Sequence, residues 1–317
     1  MRLNNLAVYK AHLVLEVIFS VAIIALAVLT FISRRRQHSH ERRKGVKWLY
    51  FAMVFYAIAF IFGAAEFGLA INRLTHRTTS RDNVIRAYTQ ARVTTFAFLF
   101  RRLGDCAALC CIASITRTAA AATGSGKTTK PSSSPKIIYL ATVALSFAVA
   151  GLSLAYFGGL QWVITQALRT IRGWVPDEEE YEHLLQVQTA FTRVSAALRI
   201  LVLVVAVLLA GWTVAVAAVS GRRVGVVRVR DTALGFLVAA AVVNVVIHAW
   251  EMVSVSWALG LQGPNTPWYQ VVEIVLDRFF TVVVLGLLYG VAKRPAPTVA
   301  QGMQGKQGVY VAHVAQP

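Results

Sequence analysis

Seven long apolar blocks divide this 317-residue chain, and they restrict its fold more than any other feature. Each is about 18 residues or longer, the length at which a helix crosses a hydrocarbon core roughly 30 Å thick. Backbone polar groups in lipid must be satisfied within their own segment, so we interpret the blocks as helices rather than as barrel strands. The blocks cover residues 9–33, 48–71, 93–116, 137–166, 196–220, 232–257 and 269–292.

The composition also argues against an ordinary soluble domain, because 57% of the residues are hydrophobic and only 15% are charged. We therefore predict an all-α fold, a polytopic membrane protein with seven transmembrane helices over residues 1–294. Residues 295–317 lack periodicity and are expected to form a disordered cytoplasmic tail. The first block starts close to Met1 and is long, which is typical of a signal anchor. The sequence does not distinguish between an endomembrane and the plasma membrane.

The net charge of +18 comes largely from short basic loops at 33–47 and 221–230. Such loops are typical of cytoplasmic segments facing anionic lipid, and their distribution argues against nucleic-acid binding. With the N-terminus outside, 18 Lys and Arg residues fall on the cytoplasmic side and 10 outside. The count favours an outside N-terminus and a cytoplasmic C-terminus, although the arginines of the second loop oppose it.

The segment 121–136, AATGSGKTTKPSSSPK, contains GSGKTT, which is similar to a phosphate-binding loop. Such a loop needs a glycine at position 121, where this chain has Ala121. It must also follow a buried strand and open a helix, whereas this segment follows a membrane block and enters a Pro/Ser linker. We interpret it as a flexible cytoplasmic loop and expect no bound nucleotide.

Charges inside the apolar blocks carry the functional information, because a charge at bilayer depth is costly unless it is paired or hydrated. Six of the 14 acids lie there. The charged and titratable side chains inside the blocks include Glu16, Glu66, Asp105, Glu251, Glu273, Asp277, Arg101, Arg102, Arg278, His12 and His248.

Helix geometry places these groups at one level. Alternating helix direction and ~1.5 Å rise per residue place eight of them within roughly 6–18 Å of the outer boundary: Glu16, Glu66, Arg101, Asp105, His248, Glu251, Glu273 and Asp277. Residues three or four apart share a helix face, so His12 aligns with Glu16, and Glu273 aligns with Asp277. We therefore predict a shared polar pocket in the outer half of the bundle.

Basic partners are too few for every acid, which favours protonated carboxylic acids able to donate a proton. We assign catalysis to Glu251, Asp277 and Glu66. Substrate contacts are assigned to His248, Asn244, Arg102, Asp105, Glu273 and Trp250. A simpler interpretation stays open for some of these groups: Asp105 forms a structural ion pair with Arg101 or Arg102, and Glu273 is solvated near the interface.

The sequence lacks the residues that several known kinds of site require. The seventh block contains no lysine for a retinal Schiff base, and the receptor motifs D/E-R-Y and N-P-x-x-Y are missing. No paired D-x-x-x-D motif and no His/Cys/Asp cluster with metal spacing is present, so we expect no metal and no cofactor.

One stretch, NVVIHAWEMV at 244–253, resembles the N-x-x-W-E segment of fungal membrane-bound terpene cyclases, which are small seven-helix proteins. The resemblance implies Glu251 as a proton donor and Asp277 as the second acid. The stretch lies in the sixth block, whereas in that family it lies early in the chain.

The leading hypothesis is therefore acid-catalysed cyclisation of an isoprenoid substrate in secondary metabolism. The alternatives are a receptor-like seven-helix ligand binder and a lipid or small-molecule transporter. The expected partners are a lipophilic small molecule and membrane lipid, and the oligomeric state stays open.

Overall fold

The computed structural model of the chain describes residues 2–36, 45–75, 80–124, 134–171, 178–223, 228–258, 272 and 275–294. All secondary structure in these ranges is helical, as predicted. The six long helices are α1 (Arg2–Arg36), α2 (Val46–Thr75), α3 (Ser80–Gly124), α4 (Ser134–Ile171), α5 (Glu178–Arg223) and α6 (Arg228–Ala258). A π-helical turn, Val275–Phe279, then leads directly into α7 (Phe280–Ala292).

Six of these helical segments are long and apolar enough to cross a membrane. They are Leu6–Ser33, Val46–Thr75, Pro135–Arg169, Thr189–Ser220, Thr232–Val253 and Val275–Ala292. This result supports a multi-pass membrane protein. The remaining predicted block, 93–116, lies in α3, which is not among the six candidate spans.

The helix α3 occupies the centre of the bundle. It packs against α2, α4 and α5 and also touches α6. Every residue from 104 to 116 is buried, so this part of α3 is covered by protein on all its faces. A helix surrounded by other helices can carry charged residues, because those residues meet protein partners instead of lipid tails.

The helix α1 shows how the bundle separates its lipid-facing and inner faces. The side chains of Val14, Ile18 and Val21 are exposed, as expected for contact with lipid tails. His12 and Glu16, one helical turn apart, are buried against α2 and the π turn. The inward stripe predicted on this helix is confirmed, and it brings polar groups towards the centre of the bundle.

Some predictions concern residues outside the described ranges. These are the tail at 295–317, most of the GSGKTT segment, most of the basic loop at 33–47, and Glu273.

Candidate functional site

A connected set of charged and polar side chains joins α1, α2, α3, α6 and the π turn. We call it the charge network, and it consists of Glu16, Tyr56, Arg101, Arg102, Asp105, His248, Glu251, Asp277 and Arg278. The predicted convergence of charges from several helices at one level is therefore present in the structure.

Glu251 of α6 is held by two adjacent arginines of α3. Arg101 Nη2 lies 2.6 Å from Glu251 Oε1, and Arg102 Nη1 lies 2.8 Å from Oε2. His248, one turn earlier on α6, places Nδ1 3.3 Å from the same Oε2. Arg199 of α5 approaches the Glu251 backbone carbonyl at 3.5 Å. The carboxylate thus sits among three cationic or donor side chains while only 6% of Glu251 is exposed.

Asp277 and Arg278 extend the network from the π turn to α1. Both Nη atoms of Arg101 donate to the Asp277 carboxylate, and Arg278 Nη1 lies 2.5 Å from Asp277 Oδ2. Arg278 Nε also donates to Glu16 Oε1 of α1 at 2.8 Å. In a π-helical turn the backbone is wider than in an α-helix, and such turns occur often at functional sites. Here the turn presents two consecutive charged residues to the same network.

The other end of the network lies at α2. Arg102 Nη1 lies 2.8 Å from Asp105 Oδ2, and Tyr56 donates its hydroxyl to Asp105 Oδ1 at 2.6 Å. Gly104 makes this contact possible, because a Cβ there would meet the Tyr56 ring at 3.0 Å. Of the two arginines considered for Asp105, Arg102 is its partner, while Arg101 binds Glu251 and Asp277.

These ion pairs hold the helices together. A buried pair adds little net stability over apolar packing, because both charges are desolvated, but removing one partner leaves an unpaired charge and costs about 3–5 kcal/mol. Arg102, Asp105 and Glu251 are nearly or fully buried, whereas Arg101 and Arg278 keep 15% and 16% side-chain exposure. Arg101 and Arg278 are therefore the more accessible cations of the network.

The network also contains a group of potential metal ligands. Asp105, His248 and Glu251 place one ligand atom each within 4.8 Å of one another. Arg102 Nη1 lies 2.8 Å from both carboxylates, so a guanidinium already neutralises the oxygens that a divalent cation would bind. The arrangement is that of an ion-pair centre.

The predicted site residues fall into four groups. The network contains Glu251, Asp277, His248, Arg102 and Asp105. Asn244 is buried on α6 one turn before His248, and Trp250 is half-buried on the same helix. Glu66 is half-buried on α2, close enough to Glu16 and Arg278 for electrostatic interaction and beside Thr94 and Gln90 of α3. Glu273 lies outside the described residues.

Three side chains that matter here are not among the predicted site residues: Arg278, Arg199 and Tyr56. Asp277 is predicted to face inward, and a regular helix turns its neighbour Arg278 about 100° away. The π turn changes that geometry. Tyr56 lies about 15 Å along α2 from Glu66, so no local pattern connects it with the acids, and a tyrosine in an apolar block usually serves packing.

Comparison with protein families, with curated proteins and with solved structures finds no match to this chain.

Proposed function

We propose that the chain is a seven-span membrane protein that binds a lipophilic small molecule and responds to it as a receptor does. The observation that carries this proposal is the sharing of Arg101 of α3 between Glu251 of α6 and Asp277 of the π turn. One guanidinium thus holds both α6 and the segment leading into α7 against α3. A change of partner at Arg101 releases one of them.

The network has the properties of a switch. Arg101, Arg102 and Arg278 each contact two carboxylates, so each can favour one partner when the other is recruited elsewhere. Packed interfaces of this kind change between discrete arrangements rather than deforming continuously. A ligand that binds any carboxylate of the network with a donor group redistributes the remaining pairs, and α6 and α7 then move relative to α3.

The topology belongs to the same proposal: α3 crosses the membrane with the six apolar helices, the N-terminus is outside, and the C-terminus is cytoplasmic. The support is the central, buried position of α3 and the basic loops at 33–47 and 221–230. A cysteine at Gly263, in the sixth loop, is expected to react with an impermeant maleimide added outside. The native Cys106, Cys110 and Cys111 are buried and give no background. Labelling only after permeabilisation contradicts this orientation.

Binding can be tested with three probes that share one chain and differ in headgroup charge: dodecylamine, dodecanol and dodecanoate. The protein in nanodiscs carries spin labels at Ala121→Cys on α3 and Gly235→Cys on α6, both exposed positions. A Cβ at Gly235 meets no atom within 4 Å. We expect at least one probe to raise Tm and to change the distance between the labels.

The control variants separate a switch from simple binding. Arg101→Gln removes the shared charge and is expected to abolish the ligand-dependent distance change. Arg193→Gln, on the exposed side of α5, is expected to retain it. If no probe changes Tm or the distance, or if Arg101→Gln responds like the wild type, the receptor proposal is wrong.

Acid-catalysed cyclisation is the second candidate, and one observation favours it. Glu66 makes no ion pair with any residue that the structure describes, whereas Glu251 and Asp277 each contact two arginines. An ion-paired carboxylate has no proton to donate, so in this candidate the donor is Glu66. Incubation with a panel of prenylated epoxides and olefins, with products detected by mass spectrometry, tests this candidate. Glu66→Gln is expected to lose the product, and Glu182→Gln is expected to keep it.

If the protein is instead a transporter, a probe is expected to cross the membrane of sealed vesicles that contain the protein.

A further inference from the structure

Glu16, at the α1 end of the charge network, and two residues outside the network have buried polar atoms without hydrogen-bond partners among the described residues. His12 is 4% exposed, and neither ring nitrogen makes a hydrogen bond. Glu16 is fully buried; Oε1 accepts from Arg278, but Oε2 has no partner. Gln90 Oε1 of α3 is likewise buried and unpaired. Buried polar groups in native proteins are normally satisfied, so such a group requires an explanation.

These groups are connected through α2: His12 and Glu16 of α1 face Phe67 and Gly63, and the adjacent Glu66 lies beside Gln90 of α3. His12 and Glu16 are one turn apart on the inner face of α1. Glu66 of α2 lies beside Gln90 and close enough to Glu16 for electrostatic interaction. The ring of Phe67 lies 4.8 Å from that of His12 in an edge-to-face arrangement. We call this group, His12, Glu16, Glu66 and Gln90 with Phe67, the α1 site.

The unpaired atoms require a ligand that donates hydrogen bonds. A carboxylate oxygen and an amide oxygen only accept hydrogen bonds, and a neutral imidazole accepts at one nitrogen. Three acceptors from three different side chains match the three N–H groups of a primary ammonium. A hydroxyl group supplies a single donor and leaves at least two of these acceptors unpaired.

The two acids of this place favour a cation. Glu16 is fully buried with one carboxylate oxygen unpaired, and Glu66 makes no ion pair with any residue that the structure describes. A charge in a low-dielectric bundle is costly without a counter-charge, and an ammonium group supplies one.

We infer that the α1 site binds the ammonium group of a lipophilic primary amine. The amine donates to Glu16 Oε2, Gln90 Oε1 and one nitrogen of His12. This inference rests on the proposed function, to which it adds the ligand class and the point of contact. Binding at Glu16 acts on Arg278, which Glu16 shares with Asp277, and so reaches the shared Arg101.

The position of the site suits an amphiphile in the bilayer. His12 and Glu16 lie about 9 and 15 Å along α1 from Leu6, where the candidate span begins, at ~1.5 Å per residue. The opposite, lipid-facing side of α1, with Val14, Ile18 and Val21 exposed, is aliphatic, so the hydrocarbon region extends over this level of the helix. An amine headgroup at the α1 site therefore leaves its alkyl chain at the depth of the lipid tails.

The test compares dodecylamine with dodecanol on the protein in zwitterionic nanodiscs. Wild type is expected to bind the amine at least tenfold more tightly than the alcohol. His12→Phe keeps an aromatic ring against Phe67 but removes the polar atoms, so it is expected to fold with an equal or higher Tm. It is also expected to lose about tenfold or more in amine affinity, the effect of one hydrogen bond to a charged group. Val14→Phe, on the lipid-facing side of α1, controls for the added ring.

A photoreactive dodecylamine on the wild-type protein gives a second measurement that needs no variant. Cross-links in peptides containing His12 or Phe67 support the inference. Cross-links only elsewhere, unchanged amine affinity in His12→Phe, or equal affinity for amine and alcohol overturn it. If dodecanol or dodecanoate still changes the α3–α6 distance in that case, the receptor proposal stands and only the α1 site is wrong. If no probe has an effect, both proposals are wrong.

Discussion

Arg102 places one nitrogen atom, Nη1, 2.8 Å from Glu251 Oε2 and 2.8 Å from Asp105 Oδ2, so that a single donor joins α6 to α3. Only 1% of the Arg102 side chain is exposed. If the guanidinium is removed, water cannot reach either carboxylate to replace it, because Asp105 and Glu251 are buried. The stability of the contact between the two helices therefore depends on this arginine as well as on Arg101, which binds the other oxygen of Glu251.

The first prediction concerns that dependence. Arg102→Gln is expected to destabilise the protein by about 3–5 kcal/mol, because Asp105 and Glu251 lose their common counter-charge in a buried setting. Thermal unfolding in nanodiscs measures the effect. Arg193→Gln on the exposed side of α5 is the matched control, with an expected change within about 0.5 kcal/mol. Equal Tm values for the two variants would show that the Arg102 contacts do not hold α3 to α6.

The second prediction concerns the pair Arg101 and Asp277. Arg101→Gln and Asp277→Asn each break the same bidentate contact, so their effects on stability are expected to be non-additive by about 0.5–3 kcal/mol. A double-mutant cycle of unfolding free energies measures the coupling. Pairing Arg101→Gln with Glu182→Gln, an exposed change on α5, is expected to give additive effects. Additivity in the first cycle rules out a direct interaction.

The third prediction concerns metal ions. Arg102 neutralises the oxygens of Asp105 and Glu251. We therefore expect Tm to stay unchanged when Zn²⁺, Mn²⁺ or Mg²⁺ is added and when the protein is treated with a chelator. A ligand that binds only the folded state raises its stability, so a bound ion would be visible in this measurement. A cation-dependent rise in Tm that disappears in His248→Leu contradicts the ion-pair interpretation.

The fourth prediction concerns the packing of Glu16 on α2. A Cβ at Gly63 would lie 3.0 Å from Glu16 Oε1 and 3.1 Å from its Cδ. Glu16 is fully buried and bound to Arg278, so it has little room to move. Gly63→Ala is therefore expected to lower Tm, despite the better helix propensity of alanine. Gly68→Ala, where a Cβ meets no atom within 4 Å, is expected to leave Tm unchanged or raise it. The reverse order would show that Glu16 does not pack on Gly63.

The features that the sequence determined by itself are those that follow from local regularity. A run of apolar residues has to form a helix in lipid, and a fixed rise per residue assigns a level to each charge on it. Residues three or four apart share a face, which is why His12 and Glu16 were expected to point inward together. The helices, the common level of the charges and the inward stripe on α1 could be predicted for these reasons.

The tertiary structure alone decided which charges meet. Arg101 binds Asp277, 176 positions away in the chain, and Arg278 binds Glu16, 262 positions away. Such pairings depend on which helices are neighbours and on the rotation of each helix about its axis. No local pattern encodes either quantity, and the π turn at Val275–Phe279 further shifts the direction of Arg278. The central position of α3 has the same origin, because a helix becomes the core of a bundle only through the packing of the others around it.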